Sequence, residues 1–251
     1  ALPISPLELH GTTQMVGAHA AYPLMLDLRN RVYANASLAH SSIEDDADSV
    51  KVSIEKSLQT VVLGLNGTQT GSRQTFNWRI DGSAGKLATK DPDAFSAKID
   101  GNYAKLLINA SVLASVSETV SVYLRIKSQL ANHNLDSSER FSLAGSEGVR
   151  AYPVGDGQGD EGWLGTLELR ARLLPQMEVF ALYDSGSAKF NHDPFIKGDN
   201  TRQLSGSGLG LRATIADSFD LVMTAAWRGE EAPFSEKDTK PRVLLLGRYR
   251  F

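Results

Sequence analysis

Cysteine is absent from this 251-residue chain. That excludes a disulfide scaffold and thiolate metal sites, and it suits a chain that crosses an oxidising compartment unfolded. No apolar run reaches the roughly 18 residues that a transmembrane helix requires, although strands can cross a membrane without one. Charge of one sign is not in excess: 26 basic and 29 acidic residues leave a net of −3. There is accordingly no electrostatic footprint for nucleic acid and no basic membrane-surface helix. Ala1-Leu2-Pro3-Ile4-Ser5 shows no basic region followed by an apolar core, so no signal peptide is visible. His10, His19, His40, His133 and His192 are scattered without helical pairing, so no metal site is expected. No serine sits in a nucleophile-elbow context, and the expectation is a protein without cofactor and without enzymatic activity.

What the chain does have is alternation. In Val120 to Leu130 the apolar Val120, Val122, Leu124, Ile126 and Leu130 share one parity, and Tyr123, Arg125, Lys127 and Gln129 the other. Trp163 to Leu173 sets Trp163, Leu167, Leu169 and Leu173 against Thr166, Glu168, Arg170 and Arg172. Phe219 to Trp227 and Arg242 to Phe251 repeat the pattern, and weaker copies lie near 15–26, 30–40, 57–67, 73–82, 101–113, 176–186 and 204–215. The total is about eleven strands of roughly 9–13 residues, the length of a tilted membrane-crossing strand. Tight connections (Leu174-Pro175-Gln176 and Ala216-Asp217-Ser218) contrast with long polar ones at Ser41–Ser49, Lys86–Asp93, Lys189–Arg202 and Arg228–Lys240. Short turns at one end and long loops at the other mark an outer-membrane barrel. A soluble β-sandwich also alternates, but its strands are nearer five or six residues and need no aromatic girdle. The fold class is therefore all-β, an antiparallel transmembrane β-barrel in the bacterial outer membrane, with outer-membrane lipid against its apolar face. Single-chain bacterial barrels have even strand numbers and no free edge. Eleven strands thus read as the C-terminal part of a larger barrel.

One connection is unlike the rest. Residues 131–161 are glycine-rich, carry a single arginine between apolar neighbours at Val149-Arg150-Ala151-Tyr152, and have no strand pattern. Structureless loops of about 30 residues are unusual and tend to be functional. Within it Asp156-Gly157-Gln158-Gly159-Asp160-Glu161 lacks the spacing of a calcium loop and reads as a solvated turn. Gly206-Ser207-Gly208-Leu209-Gly210 lies within a strand pattern, outside any dinucleotide-binding context.

Gly148-Val149-Arg150-Ala151-Tyr152-Pro153 followed by Gly159-Asp160-Glu161-Gly162 resembles the loop signature of the two-partner secretion transporters. These are the TpsB proteins, or haemolysin secretion/activation proteins of the ShlB/FhaC/HecB type. Ala151 stands where the superfamily signature V-R-G-[YF] has glycine. The resemblance implies a 16-stranded barrel preceded by two periplasmic POTRA domains, so that about five strands and those domains lie outside this chain. It also implies that the loop arginine, here Arg150, pairs with a lumen aspartate. Val179-Phe180-Ala181-Leu182-Tyr183-Asp184-Ser185-Gly186 matches the context of that aspartate, and Asp184 independently falls on the parity opposite Val179, Ala181 and Tyr183. Gly206, Gly208 and Gly210 share the inward parity of a neighbouring strand and are expected in the loop's seat. Tyr249 and Phe251 close the last strand as a signal for the barrel assembly machinery. The implied function is export of a large unfolded exoprotein of TpsA type, haemolysin or adhesin, through a lumen kept wet by Arg125, Lys127, Glu168, Arg170 and Arg172. A barrel assembly factor (insertase) of the same superfamily and a passive diffusion porin are the alternatives.

Overall fold

The computed structural model describes residues 9–47, 52–90, 97–216, 218–229, 231–234 and 240–250. The strands are β1 (Leu9–Leu26), β2 (Asn30–Ala47), β3 (Val52–Thr70), β4 (Gln74–Thr89), β5 (Gly101–Ser115), β6 (Val120–Ala131), β7 (Phe141–Ser142), β8 (Gln158–Gly159), β9 (Glu161–Leu174), β10 (Met177–Lys189), β11 (Thr201–Ile215), β12 (Phe219–Arg228) and β13 (Arg242–Tyr249). Eleven of them form one sheet in the order β1-β2-β3-β4-β5-β6-β9-β10-β11-β12-β13, while β7 and β8 pair only with each other. Every neighbouring pair in the large sheet is antiparallel, and β1 and β13 stand at its edges.

Parity decides which side chains face where. On β10 the inward set is Phe180, Leu182, Asp184, Gly186 and Ala188, all buried, with Ala181 and Tyr183 exposed between them. Leu63, Ile126, Leu169, Leu209 and Leu245 are more than half exposed on the outer face. In water such a continuous apolar surface would be an aggregation hazard; in lipid it is the solvated face of a barrel. Aromatic residues mark its two margins. Trp163 and Trp227 stand at one, and Phe219 faces Tyr249 across a strand pair at the other.

Two of the connections expected as long polar loops are strand over the part nearest the sheet. β2 runs on to Ala47 and β4 to Thr89, with ladder partners throughout. At about 3.3 Å per residue an 18-residue strand spans roughly 60 Å, far more than the hydrocarbon core of about 30 Å. Once the hairpin leaves lipid, apolar side chains are no longer needed on its outer face. The period-two signal stops there while the backbone ladder continues.

The connection from β6 to β9 folds back onto the concave face. It carries a 3-10 turn at Ser137–Glu139, capped by the Asp136 carboxylate accepting from the Ser138 N–H, and then the β7–β8 pair. Its Phe141, Leu143, Val149 and Tyr152 pack in one cluster with Leu164 of β9, Ala188 of β10, Leu204 of β11 and Ala226 of β12. Leu135, nearer its start, joins a second cluster with Leu58 of β3, Leu87 of β4 and Tyr103 of β5. A flat sheet would separate β3 from β12 by roughly 34 Å at the usual strand spacing. One loop reaches both because the sheet curves around it.

Candidate functional site

The loop turns tightly before its tip. Gly145 takes a positive φ of 99°, and a Cβ on Gly148 would strike the Leu143 carbonyl oxygen. The Val149 N–H donates to that same oxygen at 2.8 Å, so the backbone doubles back on itself and presents residue 150 to the wall. Ala151 is not among the described residues with positive φ, so alanine in place of the signature glycine costs nothing in the backbone.

Arg150 is 9% exposed and reaches two strands. Its Nε donates to Asp184 Oδ2 at 2.8 Å and its Nη2 to Oδ1 at 2.9 Å, while its backbone N–H donates to Oδ2 at 3.2 Å. Its Nη1 donates to Glu168 Oε1 on β9 at 2.5 Å. Burial alone would lower the guanidinium pKa, and the two carboxylates reverse this and raise it. The fork on Asp184 is bidentate, the strongest arginine–carboxylate geometry. Glu168 is shared, since Arg170 and Arg212 also lie within 2.9 Å of its Oε2.

Parity places Glu168 on the lumen wall and does not connect it to the loop. Parity tells which face a side chain is on and is silent about what reaches it from another segment. The same applies to the basic residues expected merely to wet the lumen. Arg125 donates to the Glu147 side chain at 3.0 Å and to its carbonyl at 2.6 Å, and the Lys127 ammonium lies 5.3 Å from the Phe141 ring centroid. These two hold the loop. Arg172 is exposed on the inward face of β9.

The glycine seat is corrected in part. A Cβ on Gly206 would sit 2.7 Å from the Ala151 Cβ, so this glycine does receive the loop tip. On Gly210, however, it would strike the Phe180 ring, and on Gly208 the Ala225 carbonyl oxygen at 2.6 Å. Those two make room for the barrel's own side chains and backbone. Tyr249 is exposed on the outer face of β13; Phe251 lies outside the described residues.

The stretch expected as a solvated turn is buried. Asp156 is 1% exposed and Asp160 not at all. Asp160 accepts from the Leu135 N–H at 3.1 Å and the His192 N–H at 2.9 Å, with Arg140 Nε at 3.2 Å. Burial pushes its carboxyl above the ordinary range in spite of these donors. At the loop's root, Asp136 meets Lys56 of β3 at 2.8 Å. Burial opposes its charge, but the Lys56 ammonium and the Ser138 N–H outweigh that and hold the carboxyl below its usual 3.8. A depressed value means that Asp136 stabilises the attachment above pH 3.8 and loses this as pH falls through its folded pKa. Asp160, shifted upward, works with the opposite sign, favouring the docked loop at low pH. A nitroxide on Ser137→Cys is therefore expected to be immobile at neutral pH and to gain mobility only below pH 3.8. Lys56→Met should make it mobile at neutral pH; unchanged mobility in that variant would remove Asp136 as an anchor.

An antiparallel wall that is apolar outside, polar inside and closed over by an arginine-pinned loop defines an outer-membrane β-barrel with a lumen loop. The family model of the haemolysin secretion/activation protein ShlB/FhaC/HecB matches residues 3–213, and the chain belongs to that family of outer-membrane transporters. Among curated relatives, the heme/hemopexin transporter protein HuxB of Haemophilus influenzae strain 86-028NP is 23% identical over 234 residues, covering 88% of this chain and 41% of its own length. HuxB of strain ATCC 51907 / DSM 11121 / KW20 / Rd is 24% identical with the same coverage. Of solved structures, CdiB from Escherichia coli superposes with a TM-score of 0.72 at 19% identity, covering 96% of this chain and 45% of CdiB. CdiB from Acinetobacter baumannii gives 0.68 at 19% identity, covering 95% and 42%. The chain spans less than half the length of HuxB and of both CdiB structures.

Proposed function

We propose that the chain forms the loop-bearing wall of an outer-membrane pore that exports a large unfolded exoprotein of TpsA type, and that Arg150 pins the loop in its resting position. The observation that carries this reading is the loop itself, packed on the concave face with Arg150 forked onto Asp184. A passive porin needs no such latch in its lumen. In this reading the chain supplies the C-terminal strands of a 16-stranded barrel, β1 and β13 pair with strands of the remainder, and POTRA domains precede them to receive the partner. The relatives' length, more than twice the matched segment, supports this arrangement. Alternation up to Tyr249 supports β13 as the segment offered to the assembly machinery.

The test is export of the exoprotein encoded with the full-length transporter, in cells that lack any other copy. Deletion of the transporter should abolish surface exoprotein while the other outer-membrane barrels assemble normally. General loss of barrels would replace this reading with an insertase. Unimpaired export would overturn it.

A further inference from the structure

Below the outer rim a second charged cluster meets the same loop, and neither the signature nor the parity of the strands accounts for it. Arg202 lies on the inward face of β11, and its side chain is 5% exposed. Its Nε donates to Asp156 Oδ1 of the loop at 3.3 Å and its Nη1 to Glu231 Oε2 at 2.8 Å, while Nη2 donates to the Ala232 carbonyl. The guanidinium also lies 3.7 Å from the centroid of the Phe234 ring. Glu231, Ala232 and Phe234 belong to the connection between β12 and β13. Two contacts join that connection directly to the loop: the Tyr152 hydroxyl donates to the Glu231 carbonyl at 2.9 Å, and the Phe234 N–H donates to Asp156 Oδ2 at 3.2 Å.

We propose that Arg202 is a positioning residue that locks the outer end of the loop under the β12–β13 connection, as a second latch separate from the one at Arg150. This rests on the reading of the loop as the mobile element of the pore. On the wall, Arg202 pairs with Ala188 and Gly206 with Asp184. The two latches therefore stand four residues apart along the strands, about 13 Å at the usual rise. Each of the three guanidinium nitrogens has an acceptor on the loop or the connection, and one face of the group is covered by Phe234. Without Arg202, the buried Asp156 carboxylate loses its counter-charge, and Glu231, its side chain 59% exposed, loses the bond that draws it to the wall. The connection then has reason to lift away, since an uncompensated buried charge is better solvated once the site opens.

The contacts also impose an order. Tyr152 and Asp156 are part of the loop, so the loop cannot leave the lumen without breaking its bonds to the connection. The connection can lift while Arg150 stays on Asp184, because the acceptors of Arg150 are both on the barrel wall. Opening thus begins at the outer latch, and the segment Glu231 to Phe234 is the first part of the closed protein to give way.

The experiment uses the full-length transporter in intact cells, with two readouts. Chymotrypsin cleavage after Phe234 reports the connection, because proteolysis follows the population of locally opened states. Alkylation of Val149→Cys by a membrane-impermeant maleimide reports the loop, since residues 1–251 carry no other cysteine and any cysteine elsewhere in the full-length transporter is replaced by serine beforehand. Arg202→Gln should speed cleavage after Phe234 at least tenfold while Val149→Cys labelling stays below a tenth of that in Arg150→Gln. Asp156→Asn should act in the same direction from the loop side, and Arg202→Lys should restore part of the protection. Cleavage unchanged in both Arg202→Gln and Asp156→Asn overturns the second latch. Equal labelling of Val149→Cys in Arg202→Gln and Arg150→Gln overturns its independence. If Val149→Cys stays unlabelled even in the Arg150→Gln/Arg202→Gln double variant, the reading of the loop as the mobile element fails instead, a result distinct from either.

Discussion

Asp184→Asn is expected to free the loop by about two orders of magnitude, and Glu168→Gln by less than tenfold, although both carboxylates touch the same guanidinium. Asp184 is fully buried, and its three hydrogen bonds all come from Arg150. Breaking a buried pair by removing one partner costs about 3–5 kcal/mol, because the other charge is left uncompensated. Arg150 keeps Glu168 in the asparagine variant, so the lower end applies, and about 3 kcal/mol corresponds to roughly a hundredfold shift. Glu168 is also bound by Arg170 and Arg212. In its glutamine variant Arg150 retains the bidentate fork, and the loop loses only one charge-assisted bond. Arg150→Ala should exceed both, since it strands Asp184 completely. Labelling of Val149→Cys in each background ranks the three directly. Equal exposure in Glu168→Gln and Asp184→Asn would show that the fork is not the dominant hold.

The shared carboxylate also changes what a charge swap can achieve. Reversing Arg150 and Asp184 together would turn an acidic group at the tip toward Glu168, which now accepts from Arg150 Nη1 at 2.5 Å. Such a double reversal is a weaker test of the pair than it looks from sequence, and the ranking of single neutral variants is the sharper one.

Asp184 was legible in the sequence because two signals coincide on it: a motif context and a parity that puts it opposite Val179, Ala181 and Tyr183. The inward face of β9 was equally legible, down to Glu168, Arg170 and Arg172. What parity could not supply is which of these inward residues the loop would meet, since that depends on how 28 residues between Ala131 and Asp160 fold on themselves. The burial of Asp156 and Asp160 is hidden from the sequence for the same reason. Glycine-flanked aspartates look like a hydrated turn, and their donors come from Arg202, His192 and Leu135, tens of residues away in places. The strand ends of β2 and β4 were missed on different grounds. Outside lipid the outer face is free to be polar, and alternation no longer separates strand from loop.

Gly206→Leu tests the seat without touching any charge, and it is expected to expel the loop tip as thoroughly as a latch mutation. A Cβ at this position would lie 2.7 Å from the Ala151 Cβ, 3.1 Å from the Trp227 carbonyl oxygen and 3.6 Å from Val149 Cγ1. Gly206 is paired on both sides, with Asp184 and with Arg228. The wall is held by two ladders and cannot recede, so the loop has to move. Overpacking of this kind costs about 1–3 kcal/mol, or roughly a five- to 150-fold rise in Val149→Cys exposure for a wall that does not yield. The milder Gly206→Ala should be relieved by Ala151→Gly, which removes the atom it strikes, and a double-mutant cycle should show coupling of about 0.5–3 kcal/mol. Gly210→Ala is the control on the same face of the same strand. Its new methyl meets the Phe180 ring, on which Arg212 stacks at 4.1 Å, and it should leave the loop in place. If Gly206→Leu and Gly210→Ala expose Val149→Cys equally, the effect belongs to the barrel as a whole and Gly206 is no seat.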